Sequence, residues 1–163
     1  MAAKSAKKEK RLIGVISDTH GLVRPEALQA LKGVDLVIHA GDIGKAEVIE
    51  TLQSISPVVA IRGNIDQGEW ARRLPETEVV EVEQTLIYVI HDLNTLDLDP
   101  AKSGFGAVIS GHSHQPRITH HNGVIFVNPG SAGPRRFRLP VAVARLQING
   151  STIHTEIVEL EVS

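Results

Sequence analysis

Short apolar runs, each ending in a polar, glycine-bearing tail, pattern the first third of the chain. Leu12–Ile16 runs into Ser17-Asp18-Thr19-His20-Gly21, Leu36–Ile38 into His39-Ala40-Gly41-Asp42, and Val58–Ile61 into Arg62-Gly63-Asn64. Runs this short and this rich in β-branched residues predict strands followed by loops. Between them the apolar spacing lengthens to a helical period. Pro25 can occupy the first turn of a helix whose apolar side is Ala27, Leu28, Ala30 and Leu31, with Gly33 as its stop. Val48, Ile49, Leu52 and Ile55 predict a second helix ending before Pro57. Strand, helix, strand, helix, strand implies parallel pairing through helical crossovers. Both faces of such a sheet are covered, which accounts for the unbroken apolar runs.

The later sequence reads as mostly strand. Val79–Val82 and Leu86–Ile90 flank Glu83-Gln84-Thr85 as a hairpin would, and Ala107–Ser110 runs into Gly111-His112-Ser113-His114. Arg117–His121, Val124–Val127, Val141–Leu146 and Thr152–Leu160 are further strands, with Asn122-Gly123 and Asn149-Gly150 as hairpin signals between neighbours. Thr152–Val162 alternates apolar and polar residues, the mark of a strand with one wet face. The simplest architecture is one domain of two sheets with covering helices.

Composition narrows this picture. A length of 163 residues suits one domain, here 11–163, that buries a core without disulfides or structural zinc. One tryptophan, one tyrosine and three phenylalanines leave the core to aliphatic side chains. The absence of cysteine excludes disulfides and thiolate metal sites. A net charge of −2 gives no overall field for nucleic acid or acidic membrane. Lys4, Lys7, Lys8, Lys10 and Arg11 form one basic cluster, expected to be a disordered arm over residues 1–10. Neither a signal-peptide core nor a bilayer-spanning run follows it, so a cytoplasmic location is expected.

The candidate chemistry lies in the strand tails. Asp18, His20, Asp42, Asn64, His91, His112 and His114 all follow predicted strands. Ligands of open parallel sheets bind beyond the carboxyl ends of strands, where these side chains could meet. Each piece alone also reads as an ordinary turn or cap; the ordered set is far more specific. Carboxylates, imidazoles and an amide suit Mn, Fe, Zn, Co or Ni better than Ca or Mg. Seven donors exceed one tetrahedral site but serve two ions if a carboxylate bridges. Two such ions can clamp the attacking and leaving oxygens of a phosphoryl displacement.

The series Asp18-x-His20, Gly41-Asp42, Gly63-Asn64, His91, Gly111-His112-x-His114 resembles the calcineurin-like metallophosphoesterase superfamily. Ile16–Gly21 and Asn128-Pro129-Gly130-Ser131 resemble its small prokaryotic phosphodiesterase branch, itself similar to a eukaryotic retromer subunit. The resemblance implies a four-layer α/β/β/α sandwich of two mixed sheets flanked by helices. It also implies two divalent ions, manganese first, with zinc, iron, nickel or cobalt as alternatives. Asp18, His20 and His114 would hold one ion, Asn64, His91 and His112 the other, and Asp42 would bridge. A water or hydroxide shared by the ions would attack phosphorus in line. Asp42, Asn64 and His91 are the expected catalytic residues, and Asn64 would also touch substrate.

Two positions depart from the family pattern. Ile65 stands where many members carry a histidine that assists the leaving group, so aryl diesters are expected over alkyl monoesters. Asp92 stands where glycine is frequent, as a turn residue or a partner of a ligand. Asp66 could orient an imidazole or form a turn, and His39 is expected to be buried and structural. Asn128 and Ser131 are expected to shape a loop near the site. Arg135, Arg136 and Arg138 could meet an anionic substrate or simply form an exposed basic loop. A small phosphate ester is the expected substrate, a nucleic acid is not expected, and a homo-oligomer is left open. The alternative to an enzyme is a weakly active or non-catalytic scaffold of the same fold.

Overall fold

The structure, a computed structural model, describes residues 10–162. Most of the expected basic arm lies outside the described residues. The first half of the chain alternates β1 (Arg11–Ile16), α1 (Pro25–Ala30), β2 (Leu36–His39), α2 (Ala46–Gln53) and β3 (Val58–Ala60). After α3 (Glu69–Arg72) come β4 (Thr77–Val82), β5 (Thr85–Ile90), β6 (Ala107–Ile109), β7 (Arg117–His121) and β8 (Val124–Asn128). The chain closes with β9 (Ala142–Asn149) and β10 (Thr152–Glu159).

These strands form two five-stranded sheets, ordered β10-β9-β1-β2-β3 and β4-β5-β6-β8-β7. In the first sheet β1, β2 and β3 run parallel, and β9 returns antiparallel beside β1. In the second, β5, β6 and β8 run parallel between antiparallel neighbours β4 and β7. Both sheets are therefore mixed.

The layers follow from side-chain alternation. Ile13, Val15 and Ile38 of the first sheet face Ile87, Val89 and Ile109 of the second in one aliphatic core. The other face of the first sheet, with Ile16, Val37 and Val143, is covered by Ala27 and Leu31 around α1 and by Val48 and Leu52 of α2. The outer face of the second sheet is covered differently. Leu96, Leu98, Ala101 and Phe105 pack there on Tyr88, Ile90, Val108 and Val124, from a segment whose one regular piece is a 3-10 turn at Leu93–Thr95. The fourth layer is thus mainly irregular chain.

Pro25 opens α1 as expected, and Gly33, at φ +86°, follows its end. Asn122 and Gly123 form the β7–β8 turn with φ of 53° and 81°, the left-handed geometry that Asn-Gly favours. The β9–β10 turn sits one residue later than the Asn-Gly signal suggests. Asn149 pairs with Thr152 in the ladder, which leaves Gly150 and Ser151 as the loop. Four-residue α3 carries no long apolar period, so the sequence pattern misses it.

One consequence of this topology positions the site. The carboxyl ends of β1, β2 and β3 share one rim with those of β5 and β6. The rims are stitched across: the His112 amide donates to the Asp18 carboxylate at 3.0 Å, and the His91 ring reaches the Ala40 carbonyl at 2.7 Å.

Candidate metal centre

Asp18 follows β1 and is fully buried. Its Oδ2 accepts from the Ser17 hydroxyl at 2.7 Å and from the His112 amide at 3.0 Å. Its Oδ1 has no hydrogen-bond partner and faces His114 Nε2 at 3.4 Å and His91 Nε2 at 3.9 Å. Asp42, past β2, accepts the Ile65 amide on Oδ1 at 3.1 Å. Its Oδ2 lies between two imidazoles, 3.4 Å from His91 Nε2 and 3.8 Å from His20 Nε2. The rings themselves pair, His20 with His114 at 5.4 Å and His91 with His112 at 5.2 Å between centroids.

The electrostatics of this cluster are strongly coupled. Burial opposes ionisation of Asp42, but the facing His91 imidazole, the Ile65 amide and His20 outweigh it and hold the carboxyl at about 2. Burial also disfavours a charged His91, yet Asp42, the Ala40 carbonyl and Asp18 together raise it above its ordinary 6.5. With its Nδ1–H donating to the Ala40 carbonyl, a neutral His91 keeps its Nε2 lone pair toward the carboxylates.

Six of the seven expected ligands gather here. Asp18, His20 and His114 offer donor atoms within 4.8 Å of one another, and so do Asp18, Asp42 and His91. His112 stands beside His91, with its Nε2 3.7 Å from Asp92 Oδ2. Asn64 is exposed and shares a cleft of about 460 Å³ with His91 and Asp92. Arg135 and Arg136 are exposed on the loop between β8 and β9.

Whether this donor set suits cations can be judged from its unsatisfied atoms. Asp18 Oδ1, His20 Nε2, His91 Nε2 and His114 Nδ1 are all buried without a hydrogen-bond partner. Leaving such atoms unpaired costs about 1–3 kcal/mol each. A cluster of them around two carboxylates is what a cation relieves, and the mixed nitrogen and oxygen donors suit transition metals.

The supports of the cluster were less legible in sequence. Asp66 is buried, and its carboxylate accepts the amides of Ile43, Gly44 and Gly63 at 2.8–3.1 Å. It therefore ties the loop after β2 to the loop after β3 and does not orient an imidazole; that acceptor is Ala40. Its nearness to Asn64 was the sole signal. His39 is buried: its Nδ1 accepts the Gly41 amide, so Nε2 carries the proton and donates to Thr19 Oγ1 at 2.9 Å. Burial pushes it down to about 4, and it stays neutral. Asp92 combines both of its sequence alternatives, because Oδ1 caps the 3-10 turn at Asn94 while Oδ2 faces His112. Asn128 donates to Gly111 O and Ser113 Oγ, and Ser131 donates to the Asp18 carbonyl, so both brace loops that carry candidate donors. At Gly63 and Gly111 a Cβ would collide with Asp42 and with Ser17 and Asp18, respectively.

Comparison with known proteins agrees with this geometry. The model of the calcineurin-like phosphoesterase superfamily domain matches residues 12–151. A probable metallophosphoesterase of Methanothermobacter thermautotrophicus is 34% identical over 159 residues, covering 90% of this chain and 91% of the relative. A phosphodiesterase of Methanocaldococcus jannaschii is 29% identical over 137 residues, covering 72% and 82%. Wild-type Vps29 of Entamoeba histolytica, solved in complex with zinc, shares the fold at a TM-score of 0.71 and 24% identity, covering 92% of this chain and 99% of that one. With its family model matched over most of its length and its donor residues gathered on one rim, the chain belongs to the calcineurin-like phosphoesterase superfamily.

Proposed function

We propose that the protein hydrolyses phosphodiesters at a pair of divalent cations, manganese first among the candidates. The observation that carries this reading is the convergence of buried, unpartnered donor atoms on Asp18 and Asp42. Asp18, His20 and His114 would hold one cation and Asn64, His91 and His112 the other, with Asp42 between them. Bound there, the pair supplies an activated water for in-line attack on phosphorus and positive charge for the phosphoryl oxygens.

The chain's own residues set the rest of the chemistry. The Ala40 carbonyl holds the His91 ring in one orientation. The Ile65 amide, donating to Asp42 Oδ1, leaves Oδ2 directed at the two imidazoles. Ile65 itself is exposed and can give no proton to a departing oxygen. Leaving groups that are stable anions, such as aryl oxides, therefore suit this site best. Asn64, exposed beside His91, would meet a phosphoryl oxygen.

The test is turnover of bis(p-nitrophenyl) phosphate against a simple alkyl monophosphate, both with added manganese. Turnover of the diester with little of the monoester is expected. A second reading, a scaffold of the same fold, takes over if neither is cleaved by metal-loaded protein.

A further inference from the structure

The rim that carries His112 opens into a cleft of about 520 Å³ on the outer face of the second sheet. This falls within the range of small-molecule sites, about 300–1,000 Å³. Its floor follows from strand alternation. Arg117 pairs with Asn128 and Thr119 with Phe126, and all four line the cleft. The irregular fourth layer stops short of this edge, so Leu93 and Asn94 form a wall and leave the floor open. Phe126 packs on the Tyr88 cluster and is half-buried, which makes it a fixed apolar surface.

A second cleft adjoins the other side of His91, and charge separates the two. That cleft sets Arg62 against Glu76, Asp92 and Asp97, with Arg62 already paired to Glu76 at 3.0 Å. The first sets Arg117 against Asp92 alone, and no ion pair among the described residues engages Arg117. The second cleft is thus net acidic and the first balanced, so the retained arm of an anionic diester meets less repulsion in the first, while Asn64 at the rim end of the second stays open to the phosphoryl group. The polar groups of the first cleft surround an aromatic floor. An aliphatic arm would leave Arg117, Thr119 and Asn94 unused, and a bare sugar would cover only part of the apolar surface of Phe126 and Leu93. A planar ring with a hydrogen-bonding edge uses both.

We propose that this cleft seats the retained arm of the phosphodiester, and that the arm is a nucleoside whose base lies on Phe126. The proposal rests on the hydrolase reading above and adds a substrate class to it. Arg117 and Asn94 supply hydrogen bonds to the edge of the base or to its sugar.

Two substrates isolate the retained arm: the p-nitrophenyl ester of thymidine 5′-monophosphate and p-nitrophenyl methyl phosphate. They share a leaving group. The manganese-loaded protein is expected to favour the nucleoside ester by about tenfold or more in kcat/KM, the scale of one base–aromatic stack. Phe126→Ala and Arg117→Gln should each shrink that ratio several-fold. Calorimetric titration with thymidine 5′-monophosphate and with methyl phosphate gives a readout independent of turnover, and the same preference and the same losses are expected. If neither ester is cleaved but the affinity difference stands and Phe126→Ala removes it, the hydrolase reading fails and the nucleoside seat survives. Equal ratios for both arms, or a preference that both variants retain, overturn the seat and leave hydrolysis intact.

Discussion

Asp18, His20, Asp42, His112 and His114 all have φ between 48° and 75°. Side chains other than glycine rarely adopt this region, and holding them there costs about 1–3 kcal/mol each. The sequence named these residues by type and by position after strands, but nothing in it showed that their backbones are left-handed. Nor did it show the acceptors that fix them, because a carbonyl such as Ala40 O carries no residue signature. The Asp92–His112 approach yields a prediction at this scale. Asp92→Asn weakens the charge behind His112 and should lower affinity for one of the two proposed ions by about tenfold or more. Metal titration would show it; unchanged binding of both ions would confine Asp92 to its cap on the 3-10 turn.

His39 gives a second prediction, with a definite sign. Its folded value of about 4 lies below its ordinary 6.5, so the unfolded chain binds the proton first as pH falls. Stability of the metal-free protein is therefore greatest above 6.5 with respect to His39 and declines as pH falls toward 4, by on the order of 3 kcal/mol. His39→Gln should flatten that stretch in denaturant titrations. Asp42 acts lower, with its contribution complete above its ordinary 3.8 and lost as pH falls through about 2. His91 acts oppositely: its raised value adds stability below 6.5 that is lost as pH rises through the folded value. The difference between wild type and His39→Gln isolates the first effect. Parallel curves between pH 6.5 and 4 would contradict it.

Among the elements, the parallel β1–β2–β3 unit and the β7–β8 hairpin were legible because their signals are local. Apolar runs, Pro25 and Asn122-Gly123 each report on a few neighbouring residues. The fourth layer was not legible, since Leu96, Leu98 and Phe105 sustain neither a helical nor a strand period and are ordered by packing. Loop stitching was equally hidden. Asp66 reads as an imidazole partner or a turn residue, yet it accepts three amides from two loops. Asp66→Ala leaves those buried or part-buried donors unsatisfied and should destabilise the fold by about 3 kcal/mol or more while loosening both ligand loops. Thermal unfolding tests this, and a loss under 1 kcal/mol, about that of an ordinary surface change, would contradict it.

At the scale of the molecule, the sandwich was legible in outline because alternating apolar strands must bury one another. Which rim of which sheet meets which other was not, since that depends on the register of aliphatic packing between sheets. Ile38 shows the dependence. It is fully buried in the inter-sheet core, one strand residue before His39 and four before Asp42. Ile38→Ala should cost about 2–5 kcal/mol and weaken metal uptake through the shifted β2 tail. Wild-type stability in the variant would mean that the core repacks without moving the rim.

The central claim is that one rim holds a pair of cations with Asp42 between them. Calorimetric titration of metal-free protein with Mn²⁺ tests it most directly, with Asp42→Ala alongside. Two ions per wild-type chain are predicted, and one or none for the variant. Wild-type protein that takes up no ion, or a variant that binds as many as wild type with equal affinity, would contradict the account.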